Sequence, residues 1–257
     1  MLQTDNEIKA FLDYKYQLFN NQTFIETDPI QIPHKYCNIA DIEVSAFVTS
    51  QLAWGNRKAI IKSASILLNK MGENPASWLF EANDSNFSIF DNFVYRTFST
   101  SDIKYYMQQL SKIIKNHSSL GNYFKTLYLN SDSDVKAMLQ QFRESFMQYA
   151  PEKTSRHMGS ISKGSAAKRL NMFLRWMVRN DNSGVDFGIW NFIQPKELYI
   201  PLDIHCGRVA RKLGLLQRNA NDWKSVELLT AKLRTFDPYD PVKYDFALFG
   251  LGVFEHF

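Results

Sequence analysis

Asp203 is the one acidic residue in the stretch Leu198-Tyr199-Ile200-Pro201-Leu202-Asp203-Ile204-His205-Cys206-Gly207-Arg208-Val209-Ala210-Arg211-Lys212-Leu213-Gly214. An apolar approach ends at it and a basic amphipathic segment begins. Asp203 is suited to N-cap a helix there, its carboxylate accepting first-turn N–H groups that lack an intrahelical partner. Cys206, Val209, Ala210 and Leu213 recur at helical spacing as one buried stripe, and Gly214 is a stop signal. Arg208, Arg211 and Lys212 fall off that stripe and can face a polyanion. Asp203 can therefore be a structural cap or a carboxylate available for chemistry. A second polar residue in an apolar place is Gln51, on the stripe of Val44, Phe47, Val48 and Leu52. A buried amide must find partners or cost about 1–3 kcal/mol. It is either a core glutamine bonded to backbone or a pocket amide that reads a ligand edge, and Trp54 nearby offers an aromatic face or simple packing.

Other chemistries find little to build on. The five histidines (His34, His117, His157, His205 and His256) show no metal-ligand spacing. No phosphate-binding glycine loop or nucleophile elbow is present. No metal site and no cofactor are expected. The two cysteines, Cys37 and Cys206, stand far apart, which suits a reducing cytoplasm better than a disulfide framework. The first residues lack a basic and then apolar leader, and no apolar run approaches the roughly 20 residues of a membrane helix. A cytoplasmic, non-membrane protein is expected. Its net charge of +4 is compatible with a nucleic-acid partner but does not argue for one unaided.

The elements that must position these residues read as helices. Stripes run through Ile8, Phe11, Leu12, Leu18 and Phe19; through Ile60, Ala64, Leu67, Leu68 and Met71; and through Val135, Met138, Leu139, Phe142 and Phe146. Ser101 is a candidate cap for the stripe of Ile103, Tyr106, Met107, Leu110, Ile113 and Ile114. Leu170, Phe173, Leu174, Met177 and Val178 form another, followed by Val226, Leu229 and Leu233, then Val242, Phe246, Phe249 and Val253. Alternating strand patterns are scarce, so the fold class is all-α. Residues 81–100, 150–165 and 180–202 lack a period and read as connections. At 257 residues with 45% hydrophobic content, the chain has ample core for one compact unit of two lobes.

The Asp203 run resembles the Pro-Val-Asp-Thr-His-Val-x-Arg-Val-x-x-Arg-Leu-Gly segment of the helix-hairpin-helix DNA glycosylase superfamily, to which endonuclease III and the adenine glycosylases belong. Leu202, Ile204 and Cys206 stand here for its Val, Thr and Val. Three other segments are similar. Phe47 to Ile60 resembles the early helix-turn-helix that lines the pocket for an extruded base, which makes Gln51 and Trp54 base-pocket residues. Gly159 to Trp176 stands where the family carries its hairpin, though the Leu-Pro-x-Gly-x-Gly signature is absent and only Gly159, Gly164 and small residues replace it. Asp237 to Gly252 resembles the late helix behind the active site. The spacing from Lys168 to Asp203 and the Gln51-Leu52 corner place the chain nearest the archaeal 8-oxoguanine glycosylase branch. With only two cysteines, the four-Cys iron–sulfur cluster of endonuclease III is not expected. The pattern over most of the chain is also similar to that of an uncharacterised bacterial family.

The resemblance implies a two-lobed helical fold with a cleft between lobes, lobe A over about 42–164 and lobe B over about 1–41 plus 165–257. It implies that Asp203 is the catalytic carboxylate and Lys168 the nucleophilic lysine, with Lys163 the substitute. Lys163, Gly164, Ser165, Arg169, His205, Arg208 and Arg211 become the residues that hold DNA phosphates. Lys163, Lys168, Arg169, Arg175 and Arg179 can equally form one solvated or phosphate-facing side. The implied reaction is removal of a damaged base, an oxidised purine among the candidates, from DNA by a monomeric enzyme. Lys168 attacks C1′ to form a Schiff base, helped by the neighbouring charge of Arg169, and Asp203 stabilises the oxocarbenium sugar. β-Elimination then adds AP-lyase activity. The alternatives are a non-catalytic DNA-structure-binding protein on the same fold, or an RNA- or nucleotide-acting relative.

Overall fold

The computed structural model describes residues 4–257. Among them the chain is all-helical, with no strand beyond isolated bridges. The helices are α1 (Asp5–Phe19), α2 (Gln22–Thr27), α3 (Ile39–Leu52), α4 (Arg57–Asn69), α5 (Pro75–Glu81), α6 (Thr100–His117), α7 (Leu120–Asn130), α8 (Val135–Phe146), α9 (Glu152–Ser155), α10 (Lys168–Val178), α11 (Ile204–Lys212), α12 (Trp223–Phe236) and α13 (Tyr244–Val253). They divide into two compact units, Thr27–Met158 and the joined ends Met1–Glu26 with Gly159–Phe257.

The unit of residues 27–158 is built around α3, which is buried from Asp41 through Leu52. A helix apolar on all sides belongs in a core. Its two acids are tolerated because each ends on the N-terminus of a neighbour. Asp41 accepts the Ala76 N–H at the start of α5 (2.8 Å), and Glu43 the Gly121 N–H at the start of α7 (3.0 Å). Unpaired N–H groups and the positive end of the helix dipole make those placements favourable. The α6 stripe is buried as the periodicity predicts, but its cap is Ser99 rather than Ser101. Ser99 has Asp102 three residues on, and the two close a reciprocal capping box that Ser101 could not. Between α5 and α6 the aperiodic stretch contains a 3-10 turn, Asp84–Phe90, which buries Phe87 and Phe90 edge-on against Trp78.

In the other unit α1 packs on α13, and α13 on α11. Close approach of α1 depends on Gly250, because a Cβ there would collide with the ring of Phe19. Gly250→Ala should therefore destabilise the protein by about 1–3 kcal/mol, the usual cost of overpacking. Urea unfolding would read it, and an unchanged midpoint would show that α1 can shift off α13 freely. Leu18, read as part of the α1 stripe, is instead 44% exposed. No helix among the described residues is long and apolar enough to cross a membrane.

Candidate active site

Asp203 caps α11 as its position in the sequence predicts. Its backbone is extended, and its Oδ1 accepts the N–H groups of His205 and Cys206, both at 2.9 Å. The approach is fixed by burial of Leu198, Ile200 and Leu202 and by the Ile200 N–H donating to Thr230 Oγ1 of α12 (3.1 Å). Asn221 holds the same corner from the far side, its amide donating to the Asp203 carbonyl (3.1 Å). Asp203 Oδ2 accepts no hydrogen bond among the described residues, and the side chain is half-buried. One oxygen thus serves the helix while the other is available.

Lys168 is the first residue of α10. The turn that delivers it is tight: Ser165 N–H donates to Ser160 O (2.9 Å) and Gly164 N–H to Ile161 O (2.8 Å). Gly159 is needed at its base, where a Cβ would strike Ser165 Oγ. The turn is tied to the start of α12 by Trp223 N–H donating to Gly164 O (3.0 Å). Ala167 then adopts the left-handed region (φ 45°), a strained choice for a residue with a Cβ. Ser165 Oγ accepts its N–H (3.2 Å), and Asn171 donates to the preceding Ala166 carbonyl (3.1 Å). The chain is bent at a cost to begin a helix at Lys168, with no side-chain cap over its first N–H groups. Lys168 itself is half-buried and makes no ion pair or hydrogen bond among the described residues.

The two residues meet electrostatically at a buried pair, Cys206 and Asp245. The Cys206 thiol donates to Asp245 Oδ1 (3.3 Å), and Arg175 of α10 pairs with Asp245 Oδ2. Burial pushes the Asp245 carboxyl up to about 6; the Asp203 carboxylate adds to that rise, whereas Arg175, the Cys206 thiol and Lys168 oppose it. Burial likewise raises the Cys206 thiol, with Asp203 and Asp245 reinforcing and Lys168 opposing. Lys168 and Asp203 therefore both act on one buried pair, Cys206 in the first turn of α11 and Asp245 in the first turn of α13.

The remaining predicted residues divide. Lys163 and Gly164 are exposed at the tip of the turn, with Ser165 and Arg169 half-buried behind it. His205 turns its ring edge-on to Phe249 of α13, and its Nδ1 is buried without a hydrogen-bond partner. Arg208 is exposed and donates to the Gly252 carbonyl (2.8 Å). Arg211 donates to the Arg218 and Ala220 carbonyls and to Asn221, holding the loop that supports Asp203. Gln51 and Trp54 belong to the other unit. Gln51 lies buried in the last turn of α3, its amide donating to Ser50 Oγ (3.2 Å). Trp54 is half-buried, with the Arg96 guanidinium 4.1 Å over its ring. Arg175 and Arg179 are not on a solvated or phosphate-facing side. They are 4% and 0% exposed and paired to Asp186, Asp245, Asp181 and Asp240, because Asp181 and Asp186 fold back on α10 from the connection that follows it while Asp240 and Asp245 reach it from α13 and the turn before it. Asp245 escaped the sequence reading, although a lone acid within the apolar run of α13 is the kind of signal that marks a paired charge.

One all-helical unit thus carries both a strained helix start at Lys168 and a capped helix start at Asp203. Residues 28–254 match the family described as "Protein of unknown function (DUF2400)", and the chain belongs to that family. No curated protein and no solved structure matches it.

Proposed function

We propose that this protein is a DNA base-excision glycosylase with AP-lyase activity that removes a damaged base, an oxidised purine foremost, through Lys168 and Asp203. The observation that carries the reading is the convergence of these two residues on Asp245 and Cys206, from different helix starts of one unit. Lys168, which makes no hydrogen bond or ion pair among the described residues, is a candidate nucleophile, and the available oxygen of Asp203 can stabilise positive charge developing on the sugar. Lys163 and Gly164, exposed on the turn that precedes Lys168, would meet the phosphate backbone. On this reading Lys168 and Asp203 are the catalytic pair of a helix-hairpin-helix glycosylase without an iron–sulfur cluster, the superfamily that the Asp203 run resembles.

The test is incubation with oxidised, deaminated, alkylated and abasic duplexes, with borohydride to trap a Schiff base. A covalent adduct on one lesion supports the proposal and names the substrate. A second reading, a DNA-structure-binding protein without chemistry, draws on Asp203 filling the role of an ordinary cap. Salt-sensitive DNA binding with no cleavage and no adduct would establish it instead.

A further inference from the structure

Asp245 is an ionisable group at the candidate site that the proposed reaction leaves unused. It lies in the first turn of α13 and is 5% exposed. Charged and titratable groups act on it from two helices: Lys168 at the start of α10 and Arg175 in its last turn, Cys206 and Asp203 at the head of α11. Cys206 joins the two acids directly. Its backbone N–H donates to Asp203 Oδ1 (2.9 Å) while its thiol donates to Asp245 Oδ1 (3.3 Å). A single residue thus spans the carboxylates, one by main chain and one by side chain.

Two carboxyls so linked cannot both carry charge without cost, and their surroundings decide which keeps a proton. Asp203 is half-exposed at the positive end of a helix. Asp245 is enclosed, and its cation is divided, since Arg175 Nε also donates to Asp186 (3.2 Å). We infer that Asp203 and Asp245 form a carboxyl pair bridged by Cys206, in which Asp245 is the enclosed, positioning member and takes up its proton in mild acid. This deepens the function proposed above and rests on it for the chemistry.

The coupling can be read without DNA. Carbon-13 NMR of aspartate-labelled protein would follow the Asp245 carboxyl between pH 4.5 and 8, assigned by loss of its signal in Asp245→Asn. The wild-type midpoint is expected near 6. Lys168→Gln removes a favourable cation and should move it up, Asp203→Asn removes a like charge and should move it down, each by roughly half a unit or more. Lys168→Arg, which keeps the charge, should return it to the wild-type value. A midpoint that does not move, or that moves the same way in both variants, overturns the pair. The two proposals fail separately. Opposed shifts with no adduct on any lesion keep the pair and remove the glycosylase, whereas an adduct with an unmoved midpoint does the reverse.

Discussion

Replacing Arg179 with alanine should cost about 3–5 kcal/mol of folding stability at neutral pH, the toll for breaking a buried ion pair from one side. That is a large part of the roughly 5–15 kcal/mol that holds a domain folded. Arg179 ends α10 with no exposed surface. Its Nε reaches Asp240 (2.8 Å), Nη1 reaches Asp181 (2.6 Å) and Asp186 (3.2 Å), and Nη2 donates to the Tyr16 hydroxyl (2.6 Å). Burial works against this charge, but Asp186, Asp240, Tyr16 and Asp181 outweigh it and hold the guanidinium above its ordinary value. One side chain therefore ties α10 to α1, to the connection after α10 and to the turn before α13. Alanine would leave Asp186 wholly buried beside two partly buried acids. The pH dependence identifies the cause. Burial tends to raise the Asp181 carboxyl, but Ser183, Arg179 and Asn20 bring it well below the carboxylate range. A carboxyl lowered by folding contributes stability above its unfolded value, and that contribution is lost as pH falls through the folded one. In Arg179→Ala the stranded acids can take up protons in mild acid, so the deficit should be larger at pH 7.5 than at pH 5. Urea unfolding at both values measures it. A loss below about 1 kcal/mol at pH 7.5 would place this cluster with weak surface pairs. Arg156, whose bond to Glu152 is exposed, is the control and should show no measurable loss on truncation.

That cluster also marks where the sequence stops being legible. Asp203 was readable because a cap, a stripe and a stop are local patterns, and α11 obeys all three. The stripes of α6, α8 and α10 were readable for the same reason. Arg175 and Arg179 carry the same one-turn spacing as charges on a wet helix face, and the nearby Asp181 and Asp186 do not by themselves mark a buried cluster. Their partners Asp240 and Asp245 lie on the far side of α11 and α12, so the pairing exists only once the chain has closed. Lys168 was singled out only by resemblance, and the left-handed Ala167 before it left no signal, since alanine does not favour that conformation. α5, at seven residues, and the 3-10 turn after it are too short to establish a period. They are held by aromatic contacts that no spacing rule encodes.

Asp203→Asn should leave the fold standing and remove activity. The substitution separates the cap that Asp203 supplies from the catalytic job that the proposed function gives it. As a cap, Asp203 needs only an acceptor for the His205 and Cys206 N–H groups, and asparagine supplies one about equally well. As a catalytic group it needs negative charge, which asparagine lacks. Asp203→Ala loses both, so it should give up about 1 kcal/mol of stability in addition to activity. If the charge does chemistry, base release on the responsive lesion falls by about 100-fold or more in both variants, the usual scale for losing a catalytic acid–base group. If Asp203 only caps, Asn retains full activity and Ala loses stability alone. Lys168→Gln completes the comparison from the other helix start. It should abolish the borohydride adduct while leaving DNA binding largely intact, because the phosphate contacts are assigned elsewhere on the turn and on α11. A Lys168→Gln protein that still forms the adduct would move the nucleophile to another amine, with Lys163 tested next by the same substitution. Asp203 would then stand or fall on its own pair of variants, since its two roles are read by stability and by turnover separately.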